Sequence, residues 1–211
     1  YQLKQKLKAQ QNLLTMRQTI SKDLHDEVGS TLTSIAVLSQ AGKYAIEQTP
    51  HKAVQLLNQI SDQSKTVQQN LSDIVWAIRP DTHQTKSVLS RIREYAASTL
   101  EPENILFSIE AEESVMEKSI NEIKRKEIIL IIKEALSNIV KHAHADKVKL
   151  FVTSINNELI FNINDNGNWK TKSENTGTGL ISMKDRAKKL GGTIEINSGN
   201  SGTALTLKIP L

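Results

Sequence analysis

Residues 23–29 read DLHDEVG and lie within a long heptad pattern that predicts a helix. Two interleaved series occupy the core positions of a coiled coil: Leu3, Gln10, Arg17, Leu24, Thr31 and Leu38, and Leu7, Leu14, Ser21, Val28 and Ile35. His25 directly follows a core leucine, so the helix turns it about 100° away from the seam. We therefore expect its imidazole to reach solvent beside Asp26. On this stretch alone, a simply solvated histidine is the alternative.

A helical hairpin is predicted for residues 1–80. The first helix should run to about Ala45 and the second from His51 to about Ile78, with a turn at Thr49-Pro50 and a stop at Arg79-Pro80. The second helix carries an apolar face wider than a two-stranded seam requires, formed by Val54, Leu56, Leu57, Ile60, Val67, Leu71, Ile74, Val75 and Ile78. Two hairpins in a homodimer would bury these faces in a four-helix bundle.

A polar linker, Asp81 to Thr85, separates the hairpin from a second predicted domain over residues 86–211. Its helices are predicted at Val88–Leu100, Ile120–His142 and about Leu180–Leu190, and its strands at Ile105–Ile109, Val148–Ser154, Leu159–Asn164 and around Ile194 and Leu205. The last two strands should be antiparallel across the turn at residues 197–202. Strands clustered with helices predict an α/β sandwich with one sheet face covered, and hence an α+β chain.

The composition narrows the function classes. The chain has 211 residues, no cysteine and a net charge of +4. No apolar run is long enough to span a bilayer, so we expect this piece to be soluble, and the absence of cysteine excludes disulfides and thiolate sites. Basic residues are interspersed with carboxylates and few aromatics accompany them, which argues against direct nucleic-acid binding.

The N-terminal segment is basic. Residues 1–22 contain Lys4, Lys6, Lys8, Arg17 and Lys22 and no acidic residue, as expected just inside a membrane, although a solvated basic helix is equally consistent. The heptads are already in register at Leu3. We therefore expect another part of the protein to precede residue 1, through which alone the chain would meet a membrane.

Polar residues on the long predicted helix point to phosphate and metal chemistry. Glu134 and Asn138 are four residues apart and so share a face, where a carboxylate and an amide oxygen could hold Mg²⁺ or its water shell. Lys141 and His142 follow within one turn and can reach phosphate oxygens. A solvated polar face is the alternative.

Three glycine-containing stretches follow. Asp165 directly follows the predicted strand that ends at Asn164, and there its carboxylate can accept a hydrogen bond from an exocyclic amine such as that of adenine, while Gly167 lets the chain turn beneath the base. Gly177 and Gly179 open a helix whose free backbone amides suit a triphosphate. The stretch at residues 202–204, which includes Thr203, lies in the last hairpin. Taken singly, each stretch also fits an ordinary turn.

The order of these motifs, Glu-x-x-x-Asn, Asp-x-Gly, Gly-x-Gly-Leu and Gly-Thr-Ala, resembles the Bergerat-type ATPase domain of gyrase, the ninety-kilodalton heat-shock chaperone, mismatch-repair ATPases and sensor histidine kinases. With Leu24-His25-Asp26 and the later WAIRP at residues 76–80, the chain resembles a two-component sensor histidine kinase of the subfamily that includes nitrate and membrane-fluidity sensors. The resemblance covers almost the whole chain.

The resemblance implies an ATP- and Mg²⁺-dependent protein histidine kinase that forms a homodimer. His25 would be phosphorylated, with Asp26 orienting it or taking its proton, and the phosphoryl group would pass to an aspartate on a response-regulator receiver domain. Glu134 would help hold the metal shell or assist the reaction as a catalytic residue. The implied contacts with metal, adenine and phosphates are Asn138 and Glu134 for Mg²⁺, Asp165, Gly167 and Thr203 for adenine, Gly177 and Gly179 for the lid, and Lys141 and His142 for phosphate.

Two positions differ from the usual family pattern. Trp169 stands where a second glycine is often found, which favours the alternative of a non-catalytic dimeric nucleotide-sensing module. Ser30 stands where many members carry a glutamine that positions water, so we predict weak or absent phosphatase activity toward the regulator. An ATP-driven conformational machine like the chaperone is the third possibility, but it gives His25 no role.

Overall fold

The computed structural model describes residues 21, 28–77, 84–168, 178–199 and 201–211. The chain divides between Trp76 and Ala77 into two compact units. The predicted domain limits, 1–80 and 86–211, stay predictions, because the residues at the proposed linker lie largely outside the described part.

The first unit contains a helical hairpin. Its helices are α1, Ser30–Gln48, and α2, Pro50–Ala77. Thr49 separates them with φ −147° and ψ 74°, values that no helix allows, and its N–H still donates to the Ala45 carbonyl at 2.8 Å. Proline can open α2 because the first helical N–H needs no partner. Helix α1 thus runs three residues beyond the predicted Ala45.

Apolar side chains of this unit remain in solvent within a single chain. The exposed ones are Leu32, Val37, Tyr44, Ile46, Val54, Leu57, Leu71 and Val75. Isolated exposed apolar residues are ordinary, but this many on two helices exceed what a soluble monomer commonly presents. The surface suits the predicted homodimer.

The second unit is built on one five-stranded sheet. Its helices are α3, Thr85–Leu100, α4, Glu113–Met116, α5, Glu122–Asn138, and α6, Thr178–Lys189. Its strands are β1, Leu106–Ala111, β2, Lys147–Ile155, β3, Glu158–Asp165, β4, Thr193–Gly199, and β5, Gly202–Pro210. The strand order is β1-β2-β3-β5-β4, with β1 parallel to β2 and the other pairs antiparallel.

One face of the sheet carries the core. Along β5 the odd-numbered residues are buried, and on β3 a buried odd-numbered row ends at Asp165. Helix α5 packs on this face with a fully buried apolar row that includes Ile128, Ile131 and Leu136. The predicted α+β class, a helical hairpin followed by a helix-covered sheet, is confirmed.

The long central helix differs from its prediction at both ends. It begins at Glu122 rather than Ile120, because the side chain of Asn121 caps it by accepting the Lys124 N–H at 2.9 Å. The α-helix ends at Asn138, and a π-helical turn, Ile139–Ala143, continues where the prediction extended to His142. Helix α4 and a 3-10 turn at Glu101–Glu103 were not predicted.

Among the described residues, no helix combines the length and the apolar character needed to cross a bilayer.

Candidate functional site

A cavity opens between the helices and the sheet of the second unit. Helices α5 and α6, the π-helical turn and strands β3 and β5 contribute its lining, which consists of Ala135, Asn138, Ile139, Ile163, Asp165, Met183, Thr203 and Leu205. Most of these side chains are apolar. Three polar residues among apolar walls are typical of a small-molecule site, in which a few polar groups fix the orientation of the ligand.

The carboxylate of Asp165 is held by two backbone amides. Its Oδ1 accepts the Gly167 N–H at 2.9 Å and the Thr203 N–H at 3.3 Å, and the residue is only 7% exposed. The pairing of Asn164 with Ala204 brings the end of β3 beside the start of β5. The sheet register therefore fixes a buried acceptor at the cavity.

Only glycine fits at position 167, because the backbone of Ala143 lies too close for a side chain. A Cβ at this position would lie 2.1 Å from the Ala143 carbonyl oxygen, and the next residue, Asn168, donates its N–H to that same oxygen at 2.7 Å. Gly202 has a similar role with φ +128°, where a Cβ would lie 1.8 Å from the Asp165 carbonyl oxygen. Both glycines hold the loop of Asp165 in place by lacking a side chain.

The hydroxyl of Thr203 is buried without a hydrogen-bond partner among the described residues. Thr203 is 5% exposed and lines the cavity beside Asp165. Buried polar atoms are nearly always paired, so this oxygen is available to a ligand or to a bridging water.

Glu134 and Asn138 lie one turn apart on α5, as predicted, and the structure brings Gly179 against the first of them. A Cβ on Gly179 would lie 2.0 Å from Glu134 Oε1. Asn138 is 9% exposed and contributes to the cavity lining. Gly179 was predicted to favour phosphate by opening a helix; the structure shows in addition that it makes room for the Glu134 carboxylate at the start of α6.

The remaining predicted site residues are distributed differently. Lys141 and His142 are exposed on the π-helical turn and do not line the cavity. His25, Asp26 and Gly177 lie outside the described residues. Within the described part of the chain, no cluster of three or more His, Cys, Asp or Glu side chains could hold a metal ion.

Sequence reasoning missed an ion pair that joins α5 to α6. Arg186 Nη1 lies 2.8 Å from Glu127 Oε2, and the two side chains are 23% and 10% exposed. Helical periodicity predicts the helix on which each residue lies, but it does not predict a contact between two residues that are 59 positions apart in the chain. Arg186 lies two turns after Gly179 on α6, so the ion pair attaches the helix that contains this glycine to α5.

We expect Arg186→Met to lower the free energy of unfolding of the second unit by about 2–4 kcal/mol, because it leaves Glu127 buried without a counter-charge. Urea unfolding of the intact chain measures this. Lys208→Met is the matched control, since Lys208 and Glu195 form a looser, more exposed pair at 3.7 Å that should contribute less than about 1 kcal/mol. Equal destabilisation by the two variants would contradict the structural importance of the buried pair.

Comparison with known proteins defines the class of this domain. Residues 123–211 match the family model described as histidine kinase-, DNA gyrase B-, and HSP90-like ATPase. The sheet and its cavity thus form a nucleotide-binding domain of this ATPase class. Residues 17–83 match a separate model described as histidine kinase. The two models occur in sequence order along the chain, which therefore belongs to the sensor histidine kinases.

Individual relatives agree with this assignment. The sensor histidine kinase DesK of Bacillus subtilis is 28% identical over 199 residues, which cover 93% of this chain and 51% of DesK. The signal transduction histidine-protein kinase/phosphatase UhpB of Salmonella typhimurium is 29% identical, with 93% of this chain and 39% of UhpB covered. This chain therefore spans about half or less of the length of these relatives.

A solved structure supports the fold. The Acinetobacter baumannii histidine kinase AdeS superposes with a TM-score of 0.59 at 18% identity, covering 88% of this chain and 97% of that one. At this identity the likeness concerns the fold alone.

Proposed function

We propose that this chain is the core of a dimeric sensor histidine kinase that transfers the γ-phosphoryl group of ATP to His25. The observation that carries the proposal is the fixed Asp165 carboxylate beside the Thr203 hydroxyl, which has no hydrogen-bond partner in the described part of the chain. A carboxylate at this place selects a ligand that donates a hydrogen bond, as the exocyclic amine of adenine does. The histidine kinase segment at residues 17–83 contains His25, which supplies an acceptor for the phosphoryl group.

The donor set of α5 fits Mg²⁺. Asn138 offers an amide oxygen and Glu134 a carboxylate, and these are the hard oxygen ligands that Mg²⁺ binds. Few protein ligands are expected, because Mg²⁺ in nucleotide sites keeps several waters and takes oxygens from the phosphates. When bound, the ion would neutralise charge on the β- and γ-phosphates. Gly167, Gly177 and Gly179 would border the nucleotide. Lys141 and His142, which are exposed, would be weaker phosphate contacts.

The chemical step is a direct displacement at phosphorus. A lone pair on the neutral His25 imidazole forms the N–P bond as the bond from the γ-phosphorus to the β–γ bridging oxygen breaks, and ADP leaves. Asp26 would fix the tautomer and accept the imidazole proton, either directly or through water. A receiver-domain aspartate of a response regulator would then take the phosphoryl group. Because many such regulators bind DNA, that partner rather than this chain would contact nucleic acid.

The homodimer is proposed from the exposed apolar residues of α1 and α2, which two copies would bury in a four-helix bundle. We further propose that the chain acts at the cytoplasmic face of a bacterial inner membrane, as the kinase part of a longer sensor.

The proposal is tested by incubating the purified chain with Mg²⁺ and γ-labelled ATP, beside an Asn138→Ala variant and a parallel reaction with α-labelled ATP. We expect label on the protein from γ-labelled ATP and none from α-labelled ATP. The label should be acid-labile, because phosphohistidine is lost in acid whereas phosphoserine survives. Asn138→Ala should abolish this label. ATP binding without label on the protein would favour the nucleotide-sensing module. Label from α-labelled ATP would indicate nucleotidyl transfer and overturn the proposal.

Phosphatase activity toward the regulator is expected to be weak. Ser30 begins α1 and is exposed, but its hydroxyl is shorter than the glutamine amide it replaces. We expect Ser30→Gln to raise the rate of dephosphorylation of the phosphorylated regulator several-fold while labelling of the kinase stays unchanged. Robust dephosphorylation by the natural sequence that is lost in Ser30→Ala would contradict this prediction.

A further inference from the structure

The side chain of Asn166 ties the loop after β3 to the start of β2. Its Oδ1 accepts the Asp146 N–H at 3.1 Å and the Lys147 N–H at 3.0 Å, and its Nδ2 donates to Asp146 Oδ1 at 2.6 Å. The Asn166 N–H also donates to the Lys147 carbonyl at 3.2 Å. One exposed side chain thus makes three hydrogen bonds without lining the cavity.

The same loop is held on its other side by the π-helical turn. The Ala143 carbonyl accepts the Asn168 N–H at 2.7 Å, and Gly167 lies against it too closely for any side chain. Asp165 and its hydrogen-bond donor Gly167 therefore flank Asn166 directly. A shift of this residue would move the carboxylate and one of its two amide donors together.

We propose that Asn166 is a positioning residue that aims the Asp165 carboxylate at the exocyclic amine of the nucleotide base. The inference rests on the proposed function, because it requires Asp165 to contact that amine. Asn166 itself touches no nucleotide. Without its side chain, the Asp146 and Lys147 amides lose their acceptor, and at the start of β2 the loop keeps only its backbone hydrogen bond to the Lys147 carbonyl. Hydrogen-bond strength falls steeply with misalignment, so a small rotation of the carboxylate weakens recognition of the amine.

The test compares two nucleotides that differ only in the amine. Binding of ATP and of purine riboside triphosphate, which lacks the 6-amino group, is measured by calorimetry on the natural chain and on Asn166→Ala. We expect ATP affinity to fall about 10-fold and affinity for the analogue to fall less than about 3-fold, because only ATP uses the aimed carboxylate. An equal loss for both nucleotides would show a general structural role and overturn the proposal.

A donor–acceptor exchange keeps the test independent of folding. Asn166→Asp places a carboxylate against Asp146 and should lower ATP affinity, whereas Asn166→Asp combined with Asp146→Asn restores a donor facing an acceptor. We expect the double variant to recover ATP affinity to within about 3-fold of the natural chain. Failure of this rescue in a chain that still binds the analogue normally would count against positioning through Asn166.

A separate variant distinguishes failure of this inference from failure of the proposed function. Asp165→Asn should abolish the preference for ATP over the analogue. If that preference persists, Asp165 does not read the amine and the proposed base recognition is wrong. If Asp165→Asn abolishes the preference but Asn166→Ala leaves it intact, base recognition stands and the positioning role of Asn166 is overturned.

Discussion

His25→Gln is expected to reduce transfer of label from γ-labelled ATP to the protein by at least about 1,000-fold, the order seen when a nucleophile is removed. Glutamine approaches histidine in size and polarity, but its amide nitrogen has no lone pair free to attack phosphorus. ATP affinity should stay within about 3-fold of the natural value, because the cavity belongs to the other unit.

His51→Gln is the matched control for this variant. His51 is an exposed histidine on α2, where its ring lies 3.4 Å from the Gln55 amide nitrogen. This variant therefore also loses one histidine to glutamine, but it keeps His25, the proposed phosphoryl acceptor. We expect full labelling of His51→Gln. Persistent labelling of His25→Gln would place the phosphoryl group on another residue and contradict the assignment made from DLHDEVG.

Gly167→Ala is expected to weaken ATP binding by roughly 30- to 300-fold, or about 2–3.4 kcal/mol. The new methyl group would lie 2.1 Å from the Ala143 carbonyl oxygen, which is backbone and cannot rotate away. The loop must then shift, and the Asp165 carboxylate would lose the Gly167 N–H that holds it at 2.9 Å. Titration of the purified variant with ATP measures the effect.

Gly199→Ala is the control for adding a methyl group to a glycine of the same unit. A Cβ at Gly199 meets nothing within 4 Å, so ATP affinity should be unchanged and the unfolding midpoint should not fall. A Gly167→Ala variant with natural ATP affinity would show that the nucleotide does not depend on this loop, and the cavity would then need another ligand.

The family and the α+β class could be predicted because they depend on local patterns. Heptad spacing, alternation along the strands and the order of motifs such as Asp-x-Gly are all present within short windows of sequence. The element boundaries depended on more than pattern. Helix α5 begins late because Asn121 caps it, and its α-helical part ends at Asn138, where the π-helical turn Ile139–Ala143 follows.

The sequence predicted which residues belong to the candidate site more completely than it predicted which of them contact one another. Asp165, Asn138 and Thr203 were named from motifs, and the structure brings these three to one cavity. Their roles remain predictions. The approach of Gly179 to Glu134, the Glu127–Arg186 pair and the bonds of Asn166 had no sequence signal, because each joins residues of different elements and depends on how those elements pack or pair.

The sequence by itself therefore determined the main helices, the five strands of the sheet and the chemical groups that are available, since hydrophobic period and residue chemistry are local properties. Only the tertiary structure decided which groups meet. The register of β3 against β5 sets Asp165 beside the backbone of Thr203, and packing of the π-helical turn leaves no space for a side chain at residue 167. Such distances follow from how the whole sheet and its helices pack, and no short window of sequence contains them.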